Sequence, residues 1–275
     1  MYPTHSAQYK TIMTKVSIVV GMFLVISCRS PAKNNQETEL KIVGGSETKG
    51  DPAVVAIYIE RDNTPLQFEC TGTLIEPDVV LTAAHCLYDQ KNSRSSYNLV
   101  VIPGNDLRDA KKRAKPLEVE RTEIDPHFNP QKGLEGYDIG LIILADDLDI
   151  KPLPYMKRPL TQDMIDKNIR LVGFGRDKRL AGGVSEIKRE ATVKLTAMDE
   201  KFLTLGGVFK NVYHGDSGGP VLMDVDGVET IIGVTSFGSI MGYAASTATR
   251  VDAYAESFLK DKIDFTRRGR IKSSR

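Results

Sequence analysis

The 275 residues carry 37 Lys and Arg against 36 Asp and Glu, a formal net charge of +1, with 41% hydrophobic and 27% charged side chains. That balance is ordinary for a globular chain and excludes a dedicated nucleic-acid binder, which concentrates basic charge. The length suits one large domain or two modest barrels, and beyond the N-terminal region no apolar run is long enough to span a bilayer.

At the N-terminus, Lys10 and Lys15 precede an apolar run over residues 16–27 that ends at Cys28. A positive start followed by a short apolar stretch marks a secretory signal. Its end, Val25-Ile26-Ser27-Cys28, resembles the bacterial lipobox. The resemblance implies that residues 1–28 form the signal, that Cys28 is lipidated as the mature N-terminus, and that the chain is exported to the cell envelope. Plain secretion, with cleavage after Ala32 and Cys28 discarded, stays open, and so does a start at Met13 instead of Met1. Residues 29–41, RSPAKNNQETELK, are polar and aperiodic and read as a tether or pro-segment.

From Ile42 the texture changes. Short apolar runs recur at residues 54–59, 68–75, 79–81, 99–102, 139–144, 169–172, 191–195, 221–223 and 231–234. Turn formers such as Gly50-Asp51-Pro52 and Asp226-Gly227 separate them, which predicts an all-β fold. Residues 251–263 alone have helical spacing, with Val251, Tyr254, Phe258 and Leu259 on one face. The end of the chain, RRGRIKSSR, reads as a solvated unstructured tail, or alternatively as a contact to anionic lipid or cell-wall polymer.

Four segments carry the chemistry: KIVGG at residues 41–45, LTAAHC at 81–86, YDIGLIIL at 137–144 and GDSGGP at 215–220. A serine hydroxyl is a weak nucleophile at neutral pH and needs an adjacent base. Histidine suits that task, and a buried carboxylate fixes its tautomer and stabilises its charged form. Ser217, His85 and Asp138 supply one of each, on segments that must converge in space. Singly, each has a bland reading: a polar turn, a structural histidine, a strand-flanking acid. Gly215 has no Cβ to keep backbone N–H groups from a developing oxyanion, which assigns the Gly215 and Ser217 N–H groups to that role. Of the other histidines, His127 is a loop residue and His214 a candidate for the substrate rim. The cysteines, Cys28, Cys70 and Cys86, form no close-set Cys/His quartet for zinc, so no metal is expected, and no cofactor.

In this order the four segments resemble the trypsin-like, chymotrypsin-fold serine proteases, over residues 42 to about 263. The resemblance implies two six-stranded antiparallel β-barrels, residues 42–152 and 153–250, with the active site between them, then a C-terminal helix and a basic tail over 264–275. It implies an endopeptidase with His85, Asp138 and Ser217 as its triad, a Cys70–Cys86 disulfide, and protein or peptide substrates for an expected monomer. It further implies a zymogen cut between Lys41 and Ile42 by an activating protease, the new amino group pairing with Asp216. Asn211 stands where an acid selects Lys or Arg, so trypsin-like specificity is not expected. Ser236, Phe237 and Gly238 resemble the segment that pairs with substrate backbone, and Ser246 falls where a side chain shortens the pocket. The rivals are a protease-fold binding module without catalysis, which has no need of all three triad residues, and a structural envelope lipoprotein, which leaves them unexplained.

Overall fold

The apolar runs pair as antiparallel strands in a computed structural model that describes residues 45–60, 66–88, 98–108, 116–131, 136–175, 187–206, 215–237 and 245–273. All of these belong to one compact unit spanning Thr38–Arg275. Strands β1 (Ser46–Glu47), β2 (Val54–Glu60), β3 (Gln67–Glu76), β4 (Val79–Thr82), β5 (Asn98–Ile102), β6 (Leu117–Ile124) and β7 (Gly140–Leu144) come first. Strands β8 (Asn168–Gly173), β9 (Arg189–Met198), β10 (Phe202–Leu205), β11 (Pro220–Val225), β12 (Val228–Phe237) and β13 (Ser246–Arg250) follow.

The first barrel closes in the order β2-β3-β4-β7-β6-β5. The second runs β9-β10-β13-β12-β11-β8, with β8 pairing back to β9, and β1 adds to the outer side of β9. Two closed six-stranded antiparallel barrels are therefore present. Residues 54–59 of β2 are buried without alternation, which is why that stretch reads as a continuous apolar run. The sequence gives no apolar run for β6, where Leu117, Val119 and Ile124 are spaced among Glu118, Glu120, Arg121 and Glu123 and no residue is fully buried. β10 is only four residues long, and β13 has a single apolar residue, Ala248.

Chain order and packing diverge at the C-terminus. After β13 come a 3-10 turn (Asp252–Tyr254), a π-helical stretch (Ala255–Lys260) and helix α1 (Asp261–Ser273). Phe258, Leu259, Ile263 and Thr266 are buried. Although helix α1 follows the second barrel, it makes polar contacts to the first. Arg121 donates to Thr266 Oγ1 at 2.6 Å, Arg267 pairs with Glu76 at 2.6 Å and Lys262 with Glu123 at 3.3 Å. The helix thus runs ten residues beyond its expected end at Ile263, through most of the segment expected to be an unstructured tail, and there Arg267 pairs with Glu76.

The Cys70–Cys86 disulfide joins β3 to the segment after β4, with a sequence separation of 16. A loop of that size is worth about 3 kcal/mol by the chain-entropy account.

Candidate active site

Strand β4 ends at Thr82, and the chain turns through a 3-10 segment, Ala84–Cys86, that carries His85. Ala84 and Cys86 are buried, so the imidazole is the residue that reaches outward; its side chain is 29% exposed. Asp138 lies just before β7, with its side chain 1% exposed. The preceding residue, Tyr137, has φ +66, and its N–H donates to the Tyr254 hydroxyl at 2.9 Å. The C-terminal segment therefore helps to hold the backbone that aims Asp138.

The Asp138 carboxylate collects donors from both barrels. The His85 backbone N–H donates to Oδ1 at 2.9 Å and the His85 Nδ1–H to Oδ2 at 2.8 Å. From β12, the Ser236 hydroxyl also donates to Oδ2. From β13, Thr249 Oγ1 donates to the Asp138 carbonyl at 3.0 Å. With Nδ1–H bound to carboxylate, Nε2 of a neutral imidazole is left as the acceptor. The sequence marks Ser236 only for backbone pairing with a substrate, and nothing local signals its bond to a residue 98 positions away.

The Gly215–Gly219 turn is pinned between barrels. The Ser217 carbonyl accepts from Thr71 N–H at 2.9 Å, Thr71 Oγ1 donates to the Gly215 carbonyl at 2.8 Å, and Gly218 N–H donates to the Thr235 carbonyl at 2.7 Å. Glycine is required at two points by approach as well as by φ. At Gly215, with φ +97, a Cβ would lie 2.6 Å from Phe68 Cε1. At Gly218, with φ +80, it would lie 2.1 Å from Thr82 Oγ1, within three residues of His85. The serine segment is thus pressed against the strand that delivers the histidine.

Asp216 points away from the first barrel. Its carboxylate is buried, and Oδ1 accepts from Gly175 N–H at 2.9 Å. A Cβ on Gly175 would stand 2.3 Å from Oδ2, so the glycine there makes room for the acid; no sequence motif points to it. Phe237 ends β12 opposite Thr247, and Ser246 begins β13 fully buried, opposite Leu205. His127 bonds Asp125 through Nδ1 at 3.0 Å and stacks on Tyr137. Cys28, Lys41, Ile42, Asn211, His214 and Gly238 lie outside the described residues. The sulfurs of Cys70 and Cys86 gather with His85 in a metal-like cluster, but the disulfide consumes both thiolates.

Burial desolvates His85 and alone would lower its pKa; the Asp138 charge and hydrogen bond outweigh it, with a further contribution from Glu69, and the pKa is raised above 6.5. Burial alone would raise the Asp138 pKa; the His85 charge and the bonds from His85 and Ser236 outweigh it and hold the pKa below 3.8.

These observations can be set beside known proteins. The sequence model of the Trypsin family matches residues 42–258. The chain belongs to the trypsin family of serine proteases. It is 28% identical to rat chymotrypsin-like elastase family member 1, over 84% of this chain and 92% of that one. It is also 25% identical to the CLIP domain-containing serine protease B4 of Anopheles gambiae, over 81% of this chain and 70% of that one. A third relative is chicken urokinase-type plasminogen activator, 28% identical over 72% and 51%. Serine protease hydrolases share this fold and family, and their substrates are proteins.

The pair titrates with a definite sign. A raised His85 pKa gives stability that is full below 6.5 and lost as pH rises through the folded value. A lowered Asp138 pKa gives stability that is present above 3.8 and lost as pH falls through the folded value. The pair therefore stabilises most between those two limits. NMR titration of the His85 ring should give a pKa above 6.5 in the parent, and one below 6.5 in Asp138→Asn, where burial is opposed only by the smaller Glu69 contribution. An unchanged value in the variant would contradict this electrostatic account.

Proposed function

We propose that the chain is a serine endopeptidase in which Ser217 is the nucleophile, His85 the base and Asp138 the group that orients and charges the base. The single observation that carries this reading is the buried Asp138 carboxylate holding His85 Nδ1, with Ser236 as a further donor. His85 Nε2 removes the Ser217 proton as Oγ attacks the scissile carbonyl carbon. The Gly215 and Ser217 N–H groups take the negative charge that develops on the carbonyl oxygen. The imidazolium then protonates the leaving amine, the C–N bond breaks, and an acyl-enzyme remains. Water enters on the leaving side and gives its proton to His85 as its oxygen bonds to the acyl carbon; the acyl C–O bond to Ser217 then breaks and His85 returns the proton to Oγ. Uncharged Asn211 and buried Ser246 support a small or medium uncharged side chain on the acyl side, and the similarity to elastase-named relatives agrees.

A binding module without catalysis is the rival reading, and it gives no reason for collecting these donors on one buried acid. Ser217→Ala should fold normally and lose casein hydrolysis by about 10⁴-fold or more, the loss usual for a triad member. Parent-like cleavage by this variant would sink the assignment.

The same reading makes the chain an exported zymogen, anchored through lipid at Cys28 and activated by cleavage between Lys41 and Ile42. Support comes from where the described chain begins. Gly45 O accepts from Arg189 at 3.2 Å, Glu47 pairs with Arg189, and Arg189 pairs across with Gly173. Gly173 and Gly175 are the residues against which Asp216 lies. In this reading the three residues from Gly45 back to Ile42, at most about 10 Å of extended chain, carry the new amino group to Asp216. With Asn211 giving no charge to recognise Lys41, another protease makes the cut. Since Cys70 and Cys86 bond each other, no cysteine remains to link the tether to the protease, so activation releases residues 42–275. Cell fractionation before and after activation should move Ile42-started enzyme from membrane to soluble fraction, and Cys28→Ser should make the precursor soluble throughout. Activated enzyme that stays on the membrane at low and high salt, or active enzyme starting well upstream of Ile42, would refute this.

A further inference from the structure

A cavity of about 300 Å³ opens where the link between the barrels meets the end of β3 and the C-terminal helical segment. None of the residues lining it has a part in the chemistry above. Ala255 and Ile263, both buried, supply apolar wall. Two ion pairs on that wall are already closed: Arg267 with Glu76 at 2.6 Å, and Lys260 with Glu256 at 2.7 Å.

Three polar groups lining the same cavity are left over. Tyr155 is 9% exposed, and its backbone is held to β12 on both sides. Met156 N–H donates to the Ile231 carbonyl, and Ile231 N–H to the Pro154 carbonyl, each at 2.9 Å. The Tyr155 hydroxyl has no hydrogen-bond partner among the described residues. A hydroxyl so nearly buried is costly to leave unpaired, so the cavity is where it finds a partner. Burial raises its pKa, and the charges of Glu76, Glu256 and Asp264 raise it further against Arg267, so the hydroxyl stays neutral. Asp264, on α1, has no ion-pair partner among the described residues, since Lys260 one turn earlier is engaged by Glu256. Lys157 Nζ lies 4.9 Å from the centre of the Tyr155 ring and has no carboxylate partner among the described residues.

We infer that this cavity binds a small zwitterion of the amino-acid class. Its carboxylate pairs with Lys157, its ammonium donates to Asp264 and the Tyr155 hydroxyl, and its apolar side chain packs on Ala255 and Ile263. A simple anion would use Lys157 but face Asp264, and a simple cation would use Asp264 but face Lys157. A ligand carrying both charges answers both. The volume lies at the low end for small-molecule sites, which limits the ligand to an amino acid or dipeptide. Both charged side chains keep contact with water, so each charge contributes modestly, about 5-fold in affinity.

The test is calorimetric titration of the full chain with leucine and with alanyl-leucine, each beside its N-acetylated and its C-amidated form. At least one free zwitterion should bind, and blocking either end should weaken it by about 5-fold. Asp264→Asn should weaken the free and amidated forms but not the acetylated one. Lys157→Gln should weaken the free and acetylated forms but not the amidated one. Tyr155→Phe, which keeps the ring, should act as Asp264→Asn does. Failure of both zwitterions to bind the parent, or blocked forms that bind as tightly as free ones, overturns the inference. So does equal weakening of every ligand by Asp264→Asn and Lys157→Gln.

Discussion

A carboxylate that is 1% exposed has to be compensated, and the molecule is arranged around compensating Asp138. Taking an ion of this kind out of water costs several kcal/mol unless donors replace the solvent. Those donors come from the segment after β4 and from β12, while β13 bonds the carbonyl of the same residue. One acid on the first barrel is thereby satisfied by elements of both, so the two barrels are fixed face to face at the point where His85 is held. The backbone behind it is strained at Tyr137, φ +66, a conformation that costs of order 1–3 kcal/mol for a non-glycine residue. The Tyr254 hydroxyl holds it there. Its own pKa is pushed up to about 12 by burial, which keeps that hydroxyl neutral across the working range.

The serine turn is organised on the same seam in two opposite directions. The Ser217 carbonyl and the Gly218 Cα face Thr71 and Thr82 of the first barrel, whereas Asp216 faces Gly173 and Gly175 of the second. Adjacent residues pulled to opposite sides leave the turn little freedom, and the disulfide at Cys70 ties the wall it leans on to the histidine segment. Nearby, Arg170 gathers Asp51, Glu190 and Glu229 and so ties the start of β2 to β8, β9 and β12. Buried Lys188 donates to the Asp51 carbonyl at 2.6 Å and to Asn105 at 3.0 Å. Desolvation brings the Lys188 pKa down to about 8. These contacts anchor the chain at Asp51, just before β2.

Most of the barrel architecture was legible because buried strands such as β2 and β7 write themselves as apolar runs between turn residues. The disulfide and the pairing of His85 with Asp138 were legible through motif resemblance, since no local rule brings together residues 53 apart. What stayed hidden has a common cause. Ser236 on Asp138, Tyr254 on Tyr137 and Gly175 on Asp216 are tertiary contacts made by residue types common in any strand or turn. β6 escaped because its residues are at most partly buried, and the end of helix α1 because Thr266 and the ion-paired Arg267 read as tail chemistry until their partners on the first barrel are known.

The central claim is that Asp138 makes His85 a base for Ser217. The rate at which a fluorophosphonate labels Ser217, measured against pH in the parent and in Asp138→Asn, tests it most directly. The account predicts labelling at Ser217 that rises with pH through a value above 6.5 in the parent and is slower by about 10⁴-fold in the variant. Equal labelling rates in the two proteins, or labelling of the parent at a residue other than Ser217, would contradict it.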